Sequence, residues 1–323
     1  MLDGSYNRFE NCFSMKIFFL LIVLVLFGCA ENISEEDTNT IVLFCPRNDC
    51  GKNLIYLVNQ SEEVKCALFD VDVDEIISIL KRNSASVVVD NINYDQRLNF
   101  TIKDTKFQYM HNKFCVFDSS MVWTGSFNPT HRGDSVNNNN VVIVKSKLLA
   151  ENYLKEFDEL RAGVYGGGLK TKKSKINLNG RLYENYFCPE DWCANRIIDV
   201  LDSAEKSIHF MVFSFTHRKV AEVMIDKAEE IEVKGVMEKS QNSKYSQFEI
   251  LNKSLDVKWD NNGANMHHKV FIVDEKVVVT GSFNPSINGD VNNDENVLII
   301  HDPVIASKFE EEFEYVFNSS QDG

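Results

Sequence analysis

His111-Asn112-Lys113-Phe114-Cys115-Val116-Phe117-Asp118, followed by Gly125-Ser126-Phe127-Asn128, is the stretch that decides the fold. It is written again as His267-His268-Lys269-Val270-Phe271-Ile272-Val273-Asp274, followed by Gly281-Ser282-Phe283-Asn284. Every element of H-x-K-x4-D-x6-G-S-x-N recurs 156 positions on, from 111 to 267 and from 128 to 284. The duplication reaches further. Tyr153, Phe157 and Leu160 return at the same offset as Phe309, Phe313 and Val316. Upstream, Phe44-Cys45-Pro46-x3-Cys50 returns as Phe187-Cys188-Pro189-x3-Cys193, and Leu68-Phe69 as Val212-Phe213. Residues from about 41 to 318 are therefore two copies of one unit, with about a dozen extra residues between Phe213 and His267.

Each copy offers an imidazole, an ammonium and a carboxamide. An imidazole exchanges protons near neutral pH and can also attack. Lys113 and Lys269 would hold positive charge against phosphoryl oxygens, and Asn128 and Asn284 can donate amide hydrogen bonds to them. Ser126 and Ser282 add donors or position the loop. Asp118 and Asp274 have a strand-end spacing that suits a structural role. The set suits attack on a phosphodiester with no metal or other cofactor. Clustered Asp, Glu and His ligands are absent around the motifs, which argues against a metal-dependent hydrolase. A single His on a strand is more often a core histidine, and a single Gly-Ser-x-Asn is usually a turn. Here neither copy has lost its His, Lys or Asn.

The doubled HxKxxxxD and GSxN phrases resemble the signature of the phospholipase D superfamily. The resemblance implies an α/β fold of two phospholipase D-like repeats, each a mixed β-sheet flanked by helices, packed about a pseudo-twofold axis. Both motifs would meet at one cleft, in a monomer that is an internal pseudo-dimer. It implies phosphodiester chemistry through a covalent phosphohistidine, and the compact double unit is similar to the small nuclease and cardiolipin-hydrolase-like members. In the superfamily a carboxylate after GSxN often holds the catalytic imidazole. The matching residue is Glu295 in the second repeat and Asn139 in the first. Read within each repeat, Glu295 would hold His267 protonated as general acid and then base, leaving His111 neutral as the nucleophile. His268 would point to the opposite face of its strand as a packing residue. His131 and Arg132 follow Asn128-Pro129-Thr130 and are placed to line the cleft from one side only. His209, His217 and His301 have no motif context.

The 323 residues, 44% of them hydrophobic, are ample for a packed core. A net charge of −14 argues against a protein that coats duplex DNA, but leaves room for a nuclease with a local basic cleft. Lys16 precedes the apolar run 17–27, which is too short to span a bilayer comfortably and fits a signal-peptide core. Leu26-Phe27-Gly28-Cys29 is similar to a lipobox, making Cys29 a lipidation candidate, although Phe27 is unusual there; an uncleaved signal anchor is the other reading. Met15 is a more natural start than Met1. The expected organisation is a signal peptide over 1–29, a flexible tether over 30–40, repeat 1 over 41–165, a linker over 166–182, repeat 2 over 183–318 and a tail over 319–323. Such a protein would be extracytoplasmic, membrane-anchored or secreted. In that compartment Cys45/Cys50 and Cys188/Cys193 read as two local disulfides; a four-thiolate zinc site across the pseudo-dyad is the competing reading. Cys66 and Cys115, in apolar strand-like runs, read as buried thiols.

The pattern predicts strands at 64–69, 86–89, 113–117, 121–124 and 141–144, with helices over 72–80, capped by Asp72, and 147–161. Repeat 2 replays this with strands at 208–215, 232–237, 270–273, 277–280 and 297–300 and helices over 220–228 and 306–317. Ser243–Leu251, in the surplus, reads as an extra helix near the cleft mouth. Two substrates stay open. Tethering beside a bilayer and an acidic body favour a phospholipid headgroup, while compactness and an open groove favour single-stranded nucleic acid. Transfer to an alcohol in place of water, and a non-catalytic module that binds anionic phosphate groups, are further alternatives.

Overall fold

The computed structural model describes residues 33–322; the expectations for the signal segment and Cys29 lie outside them. The first half runs β1 (Ser34–Glu35), β2 (Asn39–Cys45), α1 (Cys50–Gln60), β3 (Val64–Leu68), α2 (Asp74–Arg82) and β4 (Ser86–Val89). It continues through β5 (Ile102–Lys103), β6 (Lys113–Phe117), β7 (Met121–Gly125), α3 (His131–Ser135), β8 (Asn139–Lys145) and α4 (Lys147–Arg161). The second half opens with β9 (Lys175–Leu178), β10 (Arg181–Cys188), α5 (Cys193–Asp202), β11 (Ser207–Val212), α6 (Arg218–Lys227) and β12 (Glu232–Met237). After α7 (Phe248–Leu251) and β13 (Asp256–Trp259) come β14 (Lys269–Val273), β15 (Val277–Gly281), α8 (Ile287–Val291), β16 (Glu295–His301), α9 (Pro303–Ser319) and β17 (Gln321–Asp322).

Two mixed sheets result. One has the order β2-β8-β7-β6-β3-β4-β5; the other has β1-β9-β10-β16-β15-β14-β11-β12-β13-β17. The strand sequences explain the layering. Along β6, alternate residues serve two different cores: Phe114 and Val116 face one, Cys115 and Phe117 the other. A strand buried on both faces reads as a continuous apolar run rather than an alternating one. The core on the Phe114 side lies between the sheets and is filled by α4 (Leu149, Tyr153, Phe157) and α9 (Ile305, Phe309, Phe313). The outer faces are covered by α1 and α2 on one sheet and by α5 and α6 on the other. The residues that marked the repeat at offset 156 are thus the inward faces of the two central helices.

Several expectations need correction. The tether read over 30–40 is built into the fold from residue 34 on. Ser34 and Glu35 pair with Asn177 and Leu178, and the Glu35 carboxylate accepts from the Lys147 and Leu148 N–H groups at the start of α4. Asp72 does not cap α2. That helix starts after Val73, and Asp72 instead accepts from the His131 N–H at 2.7 Å. The extra helix expected over 243–251 shrinks to the single turn of α7, whose Phe248 stacks on Trp259. The cysteines pair as Cys45–Cys50 and Cys188–Cys193, so the shared zinc site is not formed. Cys66 and Cys115 are not free thiols. They sit opposite each other in register across β3 and β6 and form a third disulfide. Sequence spacing could not reveal that pairing, because it depends on which two strands are neighbours.

Candidate active site

His111 and His267 lie two residues before β6 and β14, and each begins where its strand meets the other repeat. Short parallel bridges, Met110 to Asp294 and Asn138 to Met266, tie the halves together. Through them the His111 N–H donates to Asp294 O at 2.9 Å, and the His267 N–H donates to Asn138 O at 2.8 Å. Strand alternation puts His and Lys on one side and the residue between them on the other. The two imidazoles and two ammonium groups converge closely enough that each His feels both lysines, and His267 also feels His111.

The carboxylate and carboxamide partners are exchanged relative to expectation. His111 Nδ1 lies 2.7 Å from Glu295 Oε2, and His267 Nδ1 lies 2.8 Å from Asn139 Oδ1. The bridges cause the exchange. The segment after each GSxN leaves its own repeat and runs beside the other repeat's motif, so each partner crosses the axis. The Ser282 hydroxyl donates to Glu295 Oε2 at 2.7 Å, and the Ser126 hydroxyl lies 3.3 Å from Asn139 Oδ1. The serines therefore orient the partners. His267 Nδ1 faces two acceptors, Asn139 Oδ1 and Ser126 O, so it carries the proton. His111 Nδ1 donates to Glu295 in the same way. Neither Nε2 has a protein hydrogen-bond partner among the described residues, and each neutral ring keeps its lone pair there.

Lys113 Nζ donates to His111 O at 2.7 Å, and Lys269 Nζ to His267 O at 2.8 Å. Each ammonium also stands over an aromatic ring, 4.8 Å from the Phe69 centroid and 4.7 Å from that of Phe213. The same rings meet His111 and His267 edge-on at 4.6 Å. Phe69 and Phe213 thus bracket each His–Lys pair. Their recurrence was visible in the sequence, but nothing local signalled a role at the site.

Burial, followed by repulsion from the two ammonium groups, holds both histidines well below the usual imidazole range. Burial pushes Lys113 down to about 7 against the pull of Glu295, Asp70 and Asp90, and drives Lys269 down as well. Burial pushes Glu295 up to about 8 against the pull of Lys113. The cleft is crowded with groups that burial makes reluctant to be cationic. An anion placed among them would relieve that penalty, the property expected of a preorganised oxyanion site.

Asn128 and Asn284 are half-buried at the ends of their GSxN phrases, each with a buried Oδ1 that has no partner. The glycine of each phrase is required. Gly125 (φ 144°) and Gly281 (φ 140°) press against Asn140 O and Asn296 O, where a Cβ would collide. Asp118 and Asp274 are not at the cleft. They sit at the far ends of β6 and β14, where Asp118 accepts from the Glu62 and Glu63 N–H groups and Asp274 from those of Lys206 and Ser207. His131 and Arg132 are exposed at the start of α3. His209 bonds Glu310 and Glu232, and His301 bonds Glu184, away from the motifs.

Beneath the motifs lies a buried polar layer that the sequence did not disclose. Asn296 donates to Asn112 Oδ1 at 2.9 Å, and Asn112 donates to Glu156 Oε1 at 3.1 Å. In the other half Asn140 Oδ1 lies 3.2 Å from His268 Nδ1, whose Nε2 lies 3.2 Å from Glu312 Oε1. His268 is thus fully buried with an oxygen within hydrogen-bonding distance of each ring nitrogen, one of which the neutral ring can donate to, and this is more than a packing role.

The family model described as cardiolipin synthase, PLD-like domain, matches residues 56–161 and 197–317, both motif copies included. The chain belongs to this phospholipase D-like family. A phospholipase D of Rickettsia typhi (strain ATCC VR-144 / Wilmington) is 30% identical over 135 residues, covering 41% of this chain and 66% of that protein. A mitochondrial cardiolipin hydrolase of Chlamydomonas reinhardtii is 29% identical over 131 residues, 38% of this chain and 57% of that protein. The chain thus spans less than two thirds of the length of either relative. The crystal structure of the phosphatidylserine synthase of Haemophilus influenzae Rd KW20 superposes with a TM-score of 0.65, covering 87% of both chains at 15% identity. At that identity the likeness concerns the fold alone.

Proposed function

We propose that this protein is a metal-independent phosphodiesterase that works through a covalent phosphohistidine. One observation carries the reading: two imidazoles meet across the repeats, each with Nδ1 tied to an acceptor and Nε2 free, beside two buried lysines. With a bound phosphate favouring their charged forms, the lysines would supply the positive charge that a catalytic cation would bring.

His111 is the nucleophile. The reason differs from the one the sequence suggested, because the carboxylate belongs to His111 and not to His267. Glu295 holds the Nδ1–H tautomer and offsets the positive charge that forms on the ring when Nε2 bonds to phosphorus. The bond from phosphorus to the leaving oxygen breaks, and the His267 Nε2 proton goes to that oxygen. The phosphodiester's own charge favours the imidazolium form of His267 needed for this step. In the second half-reaction His267 takes a proton from water, the water oxygen bonds to phosphorus, and the P–N bond to His111 breaks. Lys113, Lys269, Asn128 and Asn284 hold the equatorial oxygens.

A phospholipid headgroup is the favoured substrate. Carboxylates flank the cleft lysines: Asp70 and Asp90 bear on Lys113, and Glu238 on Lys269. That surround suits a single phosphodiester better than a polyanionic strand. A cavity of about 420 Å³ is lined by Ile92, Phe107 and Tyr109 among mostly polar residues, including Asp90, Lys106 and Asn293, and Phe107 is 96% exposed. Its three apolar side chains offer a stretch for acyl or glycerol carbons beside polar groups for a headgroup. The related phospholipase D and cardiolipin hydrolase point the same way. Single-stranded nucleic acid is the second reading, since the same chemistry would cleave it, and an alcohol could replace water as acceptor. The membrane tether and extracytoplasmic location rest on the N-terminal sequence alone; among the described residues no helix is long and apolar enough to cross a membrane.

The test runs in excess chelator on phospholipid vesicles and on single-stranded DNA and RNA, with His111→Ala as control. Headgroup release lost in the variant supports the lipid reading. Strand cleavage lost in the variant replaces it with the nuclease. Silence on every substrate from folded protein removes the catalytic reading in favour of a phosphate-binding module.

A further inference from the structure

The two repeats treat one buried position in opposite ways. Glu156 on α4 and Glu312 on α9 correspond at offset 156, and both are buried beneath a motif. Beside Glu312 stands Arg47, the residue after Cys45-Pro46. Its guanidinium pairs with the Glu312 carboxylate and lies 4.1 Å over the Tyr315 ring. The residue after Cys188-Pro189 is Glu190, and the counterpart of Tyr315 is Glu159. Both sets cross between the repeats: on the α9 side Glu312 and Tyr315 meet the Arg47 guanidinium of the first repeat, whereas on the α4 side Glu156 and Glu159 meet the Glu190 carboxylate of the second. One oxygen from each of Glu156, Glu159 and Glu190 lies within 4.8 Å of the others. Among the described residues no Lys, Arg or His nitrogen pairs with any of them, and the charges that bear on Glu156 and Glu190 are carboxylates.

Two further features adjoin this cluster. Asn152 is one turn before Glu156 on the same face of α4, 2% exposed, and lines the same pocket as Glu156 and Glu159, whose lining also includes Lys155, Lys170 and Lys172, none of them paired with these carboxylates. Its Oδ1 is buried with no partner. Gly168 closes the other side: a Cβ there would collide with Glu159 Oε2 and stand 3.4 Å from Glu190 Oε1. The space between those carboxylates is kept open by the absence of a side chain.

We propose that Glu156, Glu159 and Glu190, with Asn152 Oδ1, bind a Ca²⁺ ion in the place equivalent to the one that the Arg47 guanidinium fills beside Glu312. An all-oxygen donor set of this charge selects a hard cation. The three oxygens lie within 4.8 Å of one another, close enough to share one ion, and a set of several protein carboxylates is the habit of Ca²⁺, whereas Mg²⁺ keeps several waters and takes one or two carboxylates. The ion would be structural. Glu156 is reached from the motif through Asn112, so the cation would brace the repeat interface beneath His111 and Lys113 without touching substrate.

The test measures Ca²⁺ binding to the chelator-stripped full chain by equilibrium dialysis, alongside thermal melts in Ca²⁺ and in Mg²⁺. The expected result is one ion per chain, with Kd on the order of 10⁻⁵–10⁻³ M, and a melting temperature that Ca²⁺ raises more than Mg²⁺. Glu190→Gln and Glu159→Gln should each weaken binding at least about tenfold, as expected for losing a charged ligand. Glu190→Arg, which installs the other repeat's residue, should melt independently of Ca²⁺. The proposal is overturned by no binding at millimolar Ca²⁺, by equal affinity in Glu190→Gln, or by a melt that responds to Mg²⁺ as strongly as to Ca²⁺. Dialysis of the Gln variants decides the matter even where the Arg variant fails to fold.

Discussion

His111 Nδ1 and Glu295 Oε2 are 2.7 Å apart, although the residues are 184 positions apart and belong to different repeats. The nucleophile proposed in one copy is therefore oriented by a carboxylate from the other, and neither repeat is a complete site.

Glu295→Gln keeps the shape and removes the charge. It is expected to lower kcat by on the order of 10²–10³-fold with little change in KM, because the carboxylate acts chiefly on the charged intermediate. Steady-state kinetics of the folded variant checks this. A fall in KM-dependent binding alone would assign Glu295 to substrate recognition instead.

Phosphoryl transfer is expected to stop halfway when the acid and base are lost. With a substrate whose leaving group needs no protonation, His267→Ala should accumulate a phosphoryl adduct on His111. Peptide mass spectrometry under alkaline quench would locate it. An adduct on His267 in the His111→Ala protein would exchange the two roles.

His268 lends the fold a pH dependence. Burial, followed by the charges of Lys269 and Arg47, takes its pKa from 6.5 down to about 3. Because the folded value is the lower one, its contribution is complete above pH 6.5 and is lost as pH falls toward 3. In that window the unfolded chain binds a proton that the folded chain refuses. His268→Asn, which installs the residue of the first repeat, should reduce the slope of unfolding free energy against pH by about 1.4 kcal/mol per unit. Denaturant titrations at several pH values would read it, and an unchanged slope would contradict it.

The cross-strand disulfide Cys66–Cys115 closes a loop of 49 residues. Closure of that length restricts the unfolded chain by about 4 kcal/mol in the loop-entropy treatment. Cys66→Ala with Cys115→Ala should lose at least that much in denaturant unfolding, since the core also loses volume. The second repeat fills the same cross-strand position with Phe210 and Phe271, so the site tolerates a reduced alternative only if its volume is kept.

Asp118→Ala should separate structure from chemistry within the motif. Its carboxylate holds two backbone N–H groups at the turn before β3, far from the cleft. The variant is expected to lose about 1–3 kcal/mol of stability and to retain kcat at temperatures where it stays folded. A large loss of kcat with unchanged melting would give Asp118 a part in the reaction.

Much of this molecule could be read along the chain because its information is local. A strand such as Lys113–Phe117 is apolar on both faces, a helix such as Lys147–Arg161 repeats its buried residues every three or four positions, and the duplication shows which residue types recur together. Those patterns carried the α/β class, the two repeats and the set of His, Lys, Ser and Asn residues at the candidate site. What escaped was every choice made across space. The partner of His111, the pairing of Cys66 with Cys115, the two oxygens that His268 meets and the gathering of Glu156, Glu159 and Glu190 all depend on segments that are far apart in sequence. Periodicity tells a residue which way to face, but only the packing of one repeat against the other decides what it finds there.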